Sequence, residues 1–542
     1  MNKVFSSINK KKIILTSISI LLVICIISSI IIIGYKHHIN KNIYYNGLNF
    51  SLKNSCTTEA FLDSAGCVTN PVPTTPGSSI TTSPITENLF IKTTTNPLST
   101  FSSDVDTASY VSFRQLVSYG YSKENMKETT FRTEEFLNYF NYKYNDAKKG
   151  EMFGITTEVG TCPWNKNNSL VRIGIKASEL TKSEDKPLNL VFLIDASGSM
   201  CDENKLPLLQ SSFLKLLSKL DANDTISIVT YAGDSRVIAH GVKGTQTRKL
   251  THAIKSITAG GCTNGSAGIE EAYNIAKKYY KATSNNRVIL ATDGDLNVGL
   301  TSTDDLGEFI SKKKDSGIYL SVLGFGSGFY NDSIMETLAD KGNGNYSIID
   351  SLKQANKVLI DEFNGTINTV ATDVKFQVEF DKNIVSEYRL IGYENRKLED
   401  KDFDDDTKDA GEIGAGQTLT ILYEIVPNNA AKLTSFTANT GNKYENNLNK
   451  GMTLNIRYKN NYTAKSTKTS HPISCVEQTN LSDDFTFVST IAELVMFLND
   501  SQYAKNTDLS TLYNQLMDIN LEDEEKAEFA ELIKNLNTNT IR

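Results

Sequence analysis

Leu188 to Met200 reads LNLVFLIDASGSM, an apolar run that ends in an aspartate and a Ser-Gly-Ser turn. A short, nearly unbroken apolar stretch bounded by turn residues predicts a strand buried on both faces, the usual state of a strand inside a parallel sheet. Its C-terminal neighbours alternate in kind. Helical spacing covers Lys205–Leu220, then a strand is expected at Thr225–Tyr231 and a helix near Gly265–Tyr280. Strand Arg287–Thr292, helix Asp304–Lys314, strand Ile318–Gly324, helix Asp332–Asp340, strand Asn345–Ile349 and helix Leu352–Phe363 complete the series. Repeated βα units of this length predict an α/β fold, a doubly wound, mostly parallel, Rossmann-like sheet.

Open α/β sheets bind ligands at the carboxyl ends of their strands. Asp195, Ser197 and Ser199 fall at such an end. Two later loops leave the same edge: Gly260-Gly261-Cys262-Thr263-Asn264-Gly265, and Ala291-Thr292-Asp293-Gly294-Asp295. Asp195, Ser197, Ser199, Thr263 and Asp293 together offer two carboxylates and three hydroxyls. An all-oxygen set suits a hard divalent cation, Mg²⁺ ahead of Mn²⁺ or Ca²⁺. Two negative charges leave a dication room for one more anionic ligand, so a protein partner offering a carboxylate could complete the coordination.

Other motifs carry less. Gly324–Gly328 (GFGSG) lacks dinucleotide-binding spacing and reads as a strand-end turn. The acidic run Asp400–Asp409 lacks the ordered spacing of a calcium loop and reads as a solvated loop. No nucleophile elbow, HExxH helix or Cys/His pair is present, so neither an enzyme nor a small-molecule substrate is expected.

The DxSxS turn at 195–199, Thr263 in a Gly-rich loop and Asp293 after a strand resemble the metal-ion-dependent adhesion site of von Willebrand factor type A (VWA) domains. That resemblance implies direct metal contact by Ser197, Ser199 and Thr263. Asp195 and Asp293 would then act mainly through water and hydrogen bonds. The segments FSSDVDTASYVSFRQL, FRTEEFLNYFNYKY, NLVFLIDASGSM, GGCTNGSAGIEEAY, ATDGDLNVG, GNGNYSIID and YRLIGYENR are similar to the bacterial YfbK-like subfamily. This likeness runs from about Phe101 to the C-terminus and implies an N-terminal helical module, the VWA domain and a C-terminal region. Relatives of that subfamily are often lipoproteins, whereas here Ile24 precedes Cys25 where a small residue is expected. Cys201 and Cys262 flank two of the metal loops, and a disulfide between them would staple the site.

With 542 residues the chain exceeds a single core, and three or four domains are expected. Hydrophobic residues at 39% and charged residues at 22% are ordinary for a globular protein, and the formal charge of -7 argues against nucleic acid as a partner. Ile13–Gly34 contains no charged residue. At 1.5 Å per residue it spans roughly 33 Å, enough for a bilayer core of about 30 Å. Lys3 and Lys10–Lys12 precede it, which places the N-terminus in the cytoplasm and the bulk of the chain outside, on a single-pass membrane anchor. A cleaved signal peptide would end in a small-residue site, and none is seen.

The expected layout is a cytoplasmic tail (1–12), a transmembrane helix (13–34) and a disordered Ser/Thr/Pro-rich stalk (35–100). An N-terminal VWA-associated module (101–186), the VWA domain (187–368), a β-rich domain (369–472) and a C-terminal helical segment (473–542) follow. The expected function is binding at the cell surface, an adhesion-type role. The alternative is an assembly or regulatory subunit of a membrane or AAA+ ATPase-linked complex, which would need the domain on the cytoplasmic side.

Overall fold

The computed structural model describes residues 85–180, 186–261, 265–294, 303–314, 316–326, 332–428, 451–460, 465–521 and 523–541, all within one compact unit spanning 75–542. The candidate membrane segment 13–34 and most of the expected stalk lie outside the described residues. Among those described, no helix is long and apolar enough to cross a membrane.

Two short strands open the fold, β1 (Ile91–Lys92) and β2 (Leu98–Ser102). Helices α1 (Ala108–Ser118) and α2 (Thr133–Tyr139) follow, then the antiparallel pair β3 (Phe153–Thr161) and β4 (Ser169–Ala177). The α/β region comprises β5 (Leu188–Asp195), α3 (Leu206–Leu216), β6 (Thr225–Tyr231), β7 (Ser235–Lys243), α4 (Thr247–Lys255), α5 (Gly265–Lys278) and β8 (Asn285–Thr292). It continues through α6 (Thr303–Lys314), β9 (Tyr319–Phe325), α7 (Asp332–Lys341), β10 (Tyr346–Ile349), α8 (Leu352–Asn356) and α9 (Phe363–Ile367). Its sheet has the order β10-β9-β8-β5-β6-β7. Five of these strands are parallel, and β7 runs antiparallel to β6 at the edge, so the sheet is mixed.

The central position of β5 explains its composition. Leu190, Phe192 and Ile194 face one layer, with Leu209 and Phe213 of α3 and Val358 and Phe363 in the same core. Val191 and Leu193 face the other, with Ile269 and Ala272 of α5 and Met335 and Leu338 of α7. Alternate side chains point to opposite faces, so a strand covered on both sides is apolar throughout. The helix expected over Leu352–Phe363 is broken instead: a π-helical turn, Lys357–Asp361, separates α8 from α9.

From α9 the chain passes directly into β11 (Thr369–Phe380), then β12 (Val385–Ile391), β13 (Gly411–Gly414), β14 (Thr418–Pro427), β15 (Met452–Lys459) and β16 (Thr467–Ile473). Helices α10 (Asp483–Leu498), α11 (Leu509–Met517) and α12 (Glu524–Ile541) end it. The strands form two sheets. One has the order β1-β12-β14-β4-β3; in the other, β11 pairs with β2 and β13 along one side and β15 on the other, with β16 outermost. Both sheets contribute to one apolar core, including Phe101, Ile173, Phe376, Ile421 and Leu454.

This arrangement corrects the expected layout in two places. Strands from before and after the α/β region share sheets: Ile173 of β4 lies opposite Ile421 of β14, and Phe101 of β2 opposite Phe376 of β11. The strands of 101–186 and those of 369–472 are thus one β-sandwich, and the α/β region is inserted between β4 and β11. Period-two alternation marks a strand but not its partner, which here lies more than 200 residues away. The described end of the expected stalk, from residue 85, is also ordered structure, since β1 and β2 are strands there. Thr93 and Asn88 tie that segment to the backbone of Val385 and Gly392.

Three arginines lock the insertion to the flanking elements. Arg114 of α1 pairs with Asp350, which follows β10, through both carboxylate oxygens. Arg132, at the start of α2, reaches Asp332 (2.5 Å) and Glu336 of α7, and Glu135 (2.7 Å). From the sandwich, Arg396 reaches Asp104 (2.7 Å), Asp340 (2.6 Å) and Glu336 (3.5 Å). Asp104, Asp106, Glu135, Asp332, Glu336 and Asp340 therefore face two guanidiniums, Arg132 and Arg396.

Burial, opposed by both arginines and reinforced by Asp340 and Glu135, pushes the Glu336 carboxyl up to about 8. Burial also raises Asp106, Glu135 and Asp340. A folded state that holds protons the unfolded chain releases near pH 4.5 loses stability as pH rises through about 8. The melting temperature should therefore fall by about 2 °C or more between pH 6 and pH 9, and Glu336→Gln should shrink that fall. A flat or rising profile in the wild type would contradict the assignment.

Candidate functional site

Three neighbouring parallel strands deliver side chains to one edge of the sheet. β5 ends in Asp195, β6 in Tyr231, and β8 in Thr292 with Asp293 next. Asp195 has no exposed surface. Its Oδ1 accepts the Ser197 backbone N–H (2.9 Å), and its Oδ2 accepts the hydroxyls of Thr292 (3.0 Å) and Tyr231 (3.2 Å). Ser197 precedes a 3₁₀ turn, Gly198–Cys201, and its Oγ lies 3.0 Å from Ser199 Oγ.

The neighbouring loop is sewn to this turn. Gly198 N–H donates to the Gly261 carbonyl (3.1 Å), and Gly260 N–H to the Ala196 carbonyl (2.8 Å). Gly261 has φ +84°, a left-handed conformation that glycine adopts without steric cost. Thr263 and Cys262 come directly after this anchored point and lie outside the described residues. Cys201 is exposed.

Burial pushes the Asp195 carboxyl up to about 6, and the nearby charge of Asp293 adds to this; hydrogen bonds from Ser197 and Thr292 pull the other way. Burial and the Asp195 charge hold the Tyr231 hydroxyl well above its usual range, which keeps it a donor. Asp293 is buried, and its Oδ2 accepts from Lys205 Nζ at 2.9 Å. Four of the five expected ligands, Asp195, Ser197, Ser199 and Asp293, thus meet on adjacent strand ends.

Three residues of the site were not expected: Tyr231, Thr292 and Lys205. Tyr231 ends a predicted strand and Thr292 directly precedes Asp293, so the rule that strand ends carry ligands could have found both. Lys205 was absorbed into a helical pattern, which says nothing of how far its side chain reaches back.

The residues present fit a hard dication. With metal–oxygen bonds of about 2.1 Å, neighbouring oxygens of an octahedron lie about 3 Å apart, the separation of the two serine hydroxyls. That separation also suits a hydrogen bond between them. Both Asp195 oxygens are engaged by protein donors, so this carboxylate orients the turn and sets the charge. A second carboxylate group, Asp104, Glu135 and Glu336, lies close together, but Arg132 and Arg396 sit on it and supply its counter-charge.

β9 runs through Gly324 to Phe325, so the first part of GFGSG is strand and its end. The acidic run is exposed from Asp404 to Asp409, as a solvated loop would be, and surface ion pairs tie it down: Asp404 and Asp406 with Arg457 (both 2.9 Å), and Asp409 with Lys314 (2.7 Å).

A mixed α/β sheet with an Asp-x-Ser-x-Ser turn on its central strand defines a VWA domain. Residues 189–361 match the family described as von Willebrand factor type A domain, residues 80–172 match von Willebrand factor, and residues 365–538 match "Uncharacterized protein YfbK, C-terminal". The chain is 39% identical over 452 residues to "Uncharacterized protein YfbK" of Escherichia coli (strain K12), covering 81% of this chain and 78% of that protein. It belongs to the YfbK-like family of VWA proteins.

More distant likeness extends to inter-alpha-trypsin inhibitor heavy chain H3 of Homo sapiens, 25% identical over 257 residues, or 44% of this chain and 28% of that one. Among solved structures, "von Willebrand factor type A from Catenulispora acidiphila" aligns at 14% identity over 73% of this chain and 91% of that chain, with a TM-score of 0.42. A VWA domain points to protein–protein interaction or adhesion.

The geometry separates two kinds of substitution. Asp195→Ala leaves a buried N–H and two buried hydroxyls without their acceptor, and should cost about 1–3 kcal/mol or more of stability. Ser199→Ala removes only a partly exposed hydroxyl and should melt within about 0.5 kcal/mol of wild type. Equal melting of the two variants would contradict the support role given to Asp195.

Proposed function

We propose that this protein is a membrane-anchored, extracytoplasmic binding protein. Its VWA domain holds a divalent cation, Mg²⁺ first, and recognises a carboxylate on a protein partner. The observation that carries this reading is the Ser197–Ser199 hydroxyl pair, 3.0 Å apart beside the buried Asp195 and Asp293. Ser197, Ser199 and Thr263 would ligate the ion directly. Asp195 and Asp293 would supply its charge balance, and a partner's Asp or Glu would fill the remaining position. The cation would supply electrostatic attraction for that carboxylate, and no bond-making step is assigned to the site.

Anchoring would come from residues 13–34, and exposure outside the cell from the lysines that precede them. Calorimetric titration of the full chain with Mg²⁺ should show binding that Ser199→Ala weakens by about tenfold or more. A folded wild type that takes up no ion would overturn the metal reading. Protease added to intact cells should cut the VWA domain; full protection would favour the cytoplasmic, complex-assembly role instead. We also propose that Cys201 and Cys262 form a disulfide across the two loops. Both should then resist alkylation in non-reduced protein, whereas free labelling of both would remove the staple.

A further inference from the structure

We infer that Lys205 is a built-in competitor of the divalent cation, an internal ammonium that neutralises Asp293 and has to yield it when metal enters. This rests on the metal reading above. Lys205 stands at the start of α3, with its side chain 20% exposed. Nζ lies 2.9 Å from Asp293 Oδ2 and 3.0 Å from the Ser199 carbonyl oxygen, with Asp202 Oδ2 at 3.9 Å. The two short bonds go to two of the three loops that carry candidate ligands, one from β5 and one from β8. The ammonium therefore occupies the same anionic cleft that would attract a dication.

Its reach is fixed by the backbone beneath it. Gly326, just past β9, has φ +113°, and a Cβ there would come within 3.0 Å of Lys205 Cε and 3.1 Å of Cγ. The lysine stem thus packs directly over Gly326, where an added Cβ would press on it. The Gly326 carbonyl is itself held by Gln115 of α1, whose Nε2 donates to it at 3.0 Å.

Two cations drawn to one carboxylate repel each other in a partly buried site, where the effective dielectric is well below that of water. Lys205 then lowers metal affinity and sets a threshold concentration for occupancy. A lysine that merely posed Asp293 for the metal would have the opposite effect on removal, so the sign of the change decides.

The test is Mn²⁺ titration of the full chain, read by calorimetry and by the electron paramagnetic resonance of free Mn²⁺. Wild type, Lys205→Met, Lys205→Gln and Lys205→Arg are compared, with thermal melts to show that each is folded. Both uncharged variants should bind Mn²⁺ about tenfold tighter than wild type, the effect of removing one like charge worth about one pKa unit. Lys205→Arg should stay within about threefold of wild type. Unchanged or weaker binding by a folded uncharged variant overturns the competitor role. Absence of Mn²⁺ binding in the wild type and in every variant overturns the metal reading beneath it.

Discussion

Asp195 is a carboxyl group without solvent contact at the end of the central strand, and the whole carboxyl edge of the sheet is arranged around it. A buried carboxylate is costly unless donors meet it. The Ser197 N–H comes from its own turn, the Thr292 hydroxyl from β8 and the Tyr231 hydroxyl from β6. Those donors can converge because β6 and β8 flank β5 in the same direction, so all three strands end together. Asp195 anchors the start of the Ser197–Ser199 turn through the Ser197 N–H, and the Gly260–Gly261 loop is hydrogen-bonded onto that turn. Parallel topology is thus a requirement of the site itself.

Buried charge recurs where the VWA domain meets the rest of the molecule. The domain is inserted into a β-sandwich, and charged side chains from α1, α2, α7 and the β12–β13 connection meet at its flank. Among the described residues, Arg114 pairs with one carboxylate, Asp350, through both oxygens, which fixes orientation as well as distance. Arg132 and Arg396 share a surplus of carboxylates, and burial holds Glu336 and Asp106 above the usual carboxylate range. Such a network favours one docking geometry, because a shift of α7 would leave buried charges unpaired.

Legibility in the sequence followed the physics of each element. The β5 strand was readable because both its faces are covered, and the meeting of Asp195, Ser197, Ser199 and Asp293 at one edge was readable because parallel strands end together. By contrast, β7 and α4 were not anticipated. β7 is an antiparallel edge strand with half-exposed faces and register shifts against β6, so neither alternation nor a continuous apolar run marks it. The sandwich was legible as strands but not as one body, since pairing across the inserted domain leaves no local trace. β1 and β2 hid in a Ser/Thr-rich stretch whose composition suits a loop as well as a short edge strand. Lys205 escaped because a long side chain can act a turn away from the pattern that contains it. Thr263, Cys262 and the segment 13–34 lie outside the described residues.

The account is tested most directly by anomalous diffraction from crystals of the full chain grown with Mn²⁺. It predicts a single strong peak bonded to the Ser197 and Ser199 hydroxyls and close to Asp293, with Lys205 Nζ moved off that carboxylate. Density for the ion elsewhere, or none in that turn while Lys205 keeps its 2.9 Å bond to Asp293, would contradict it.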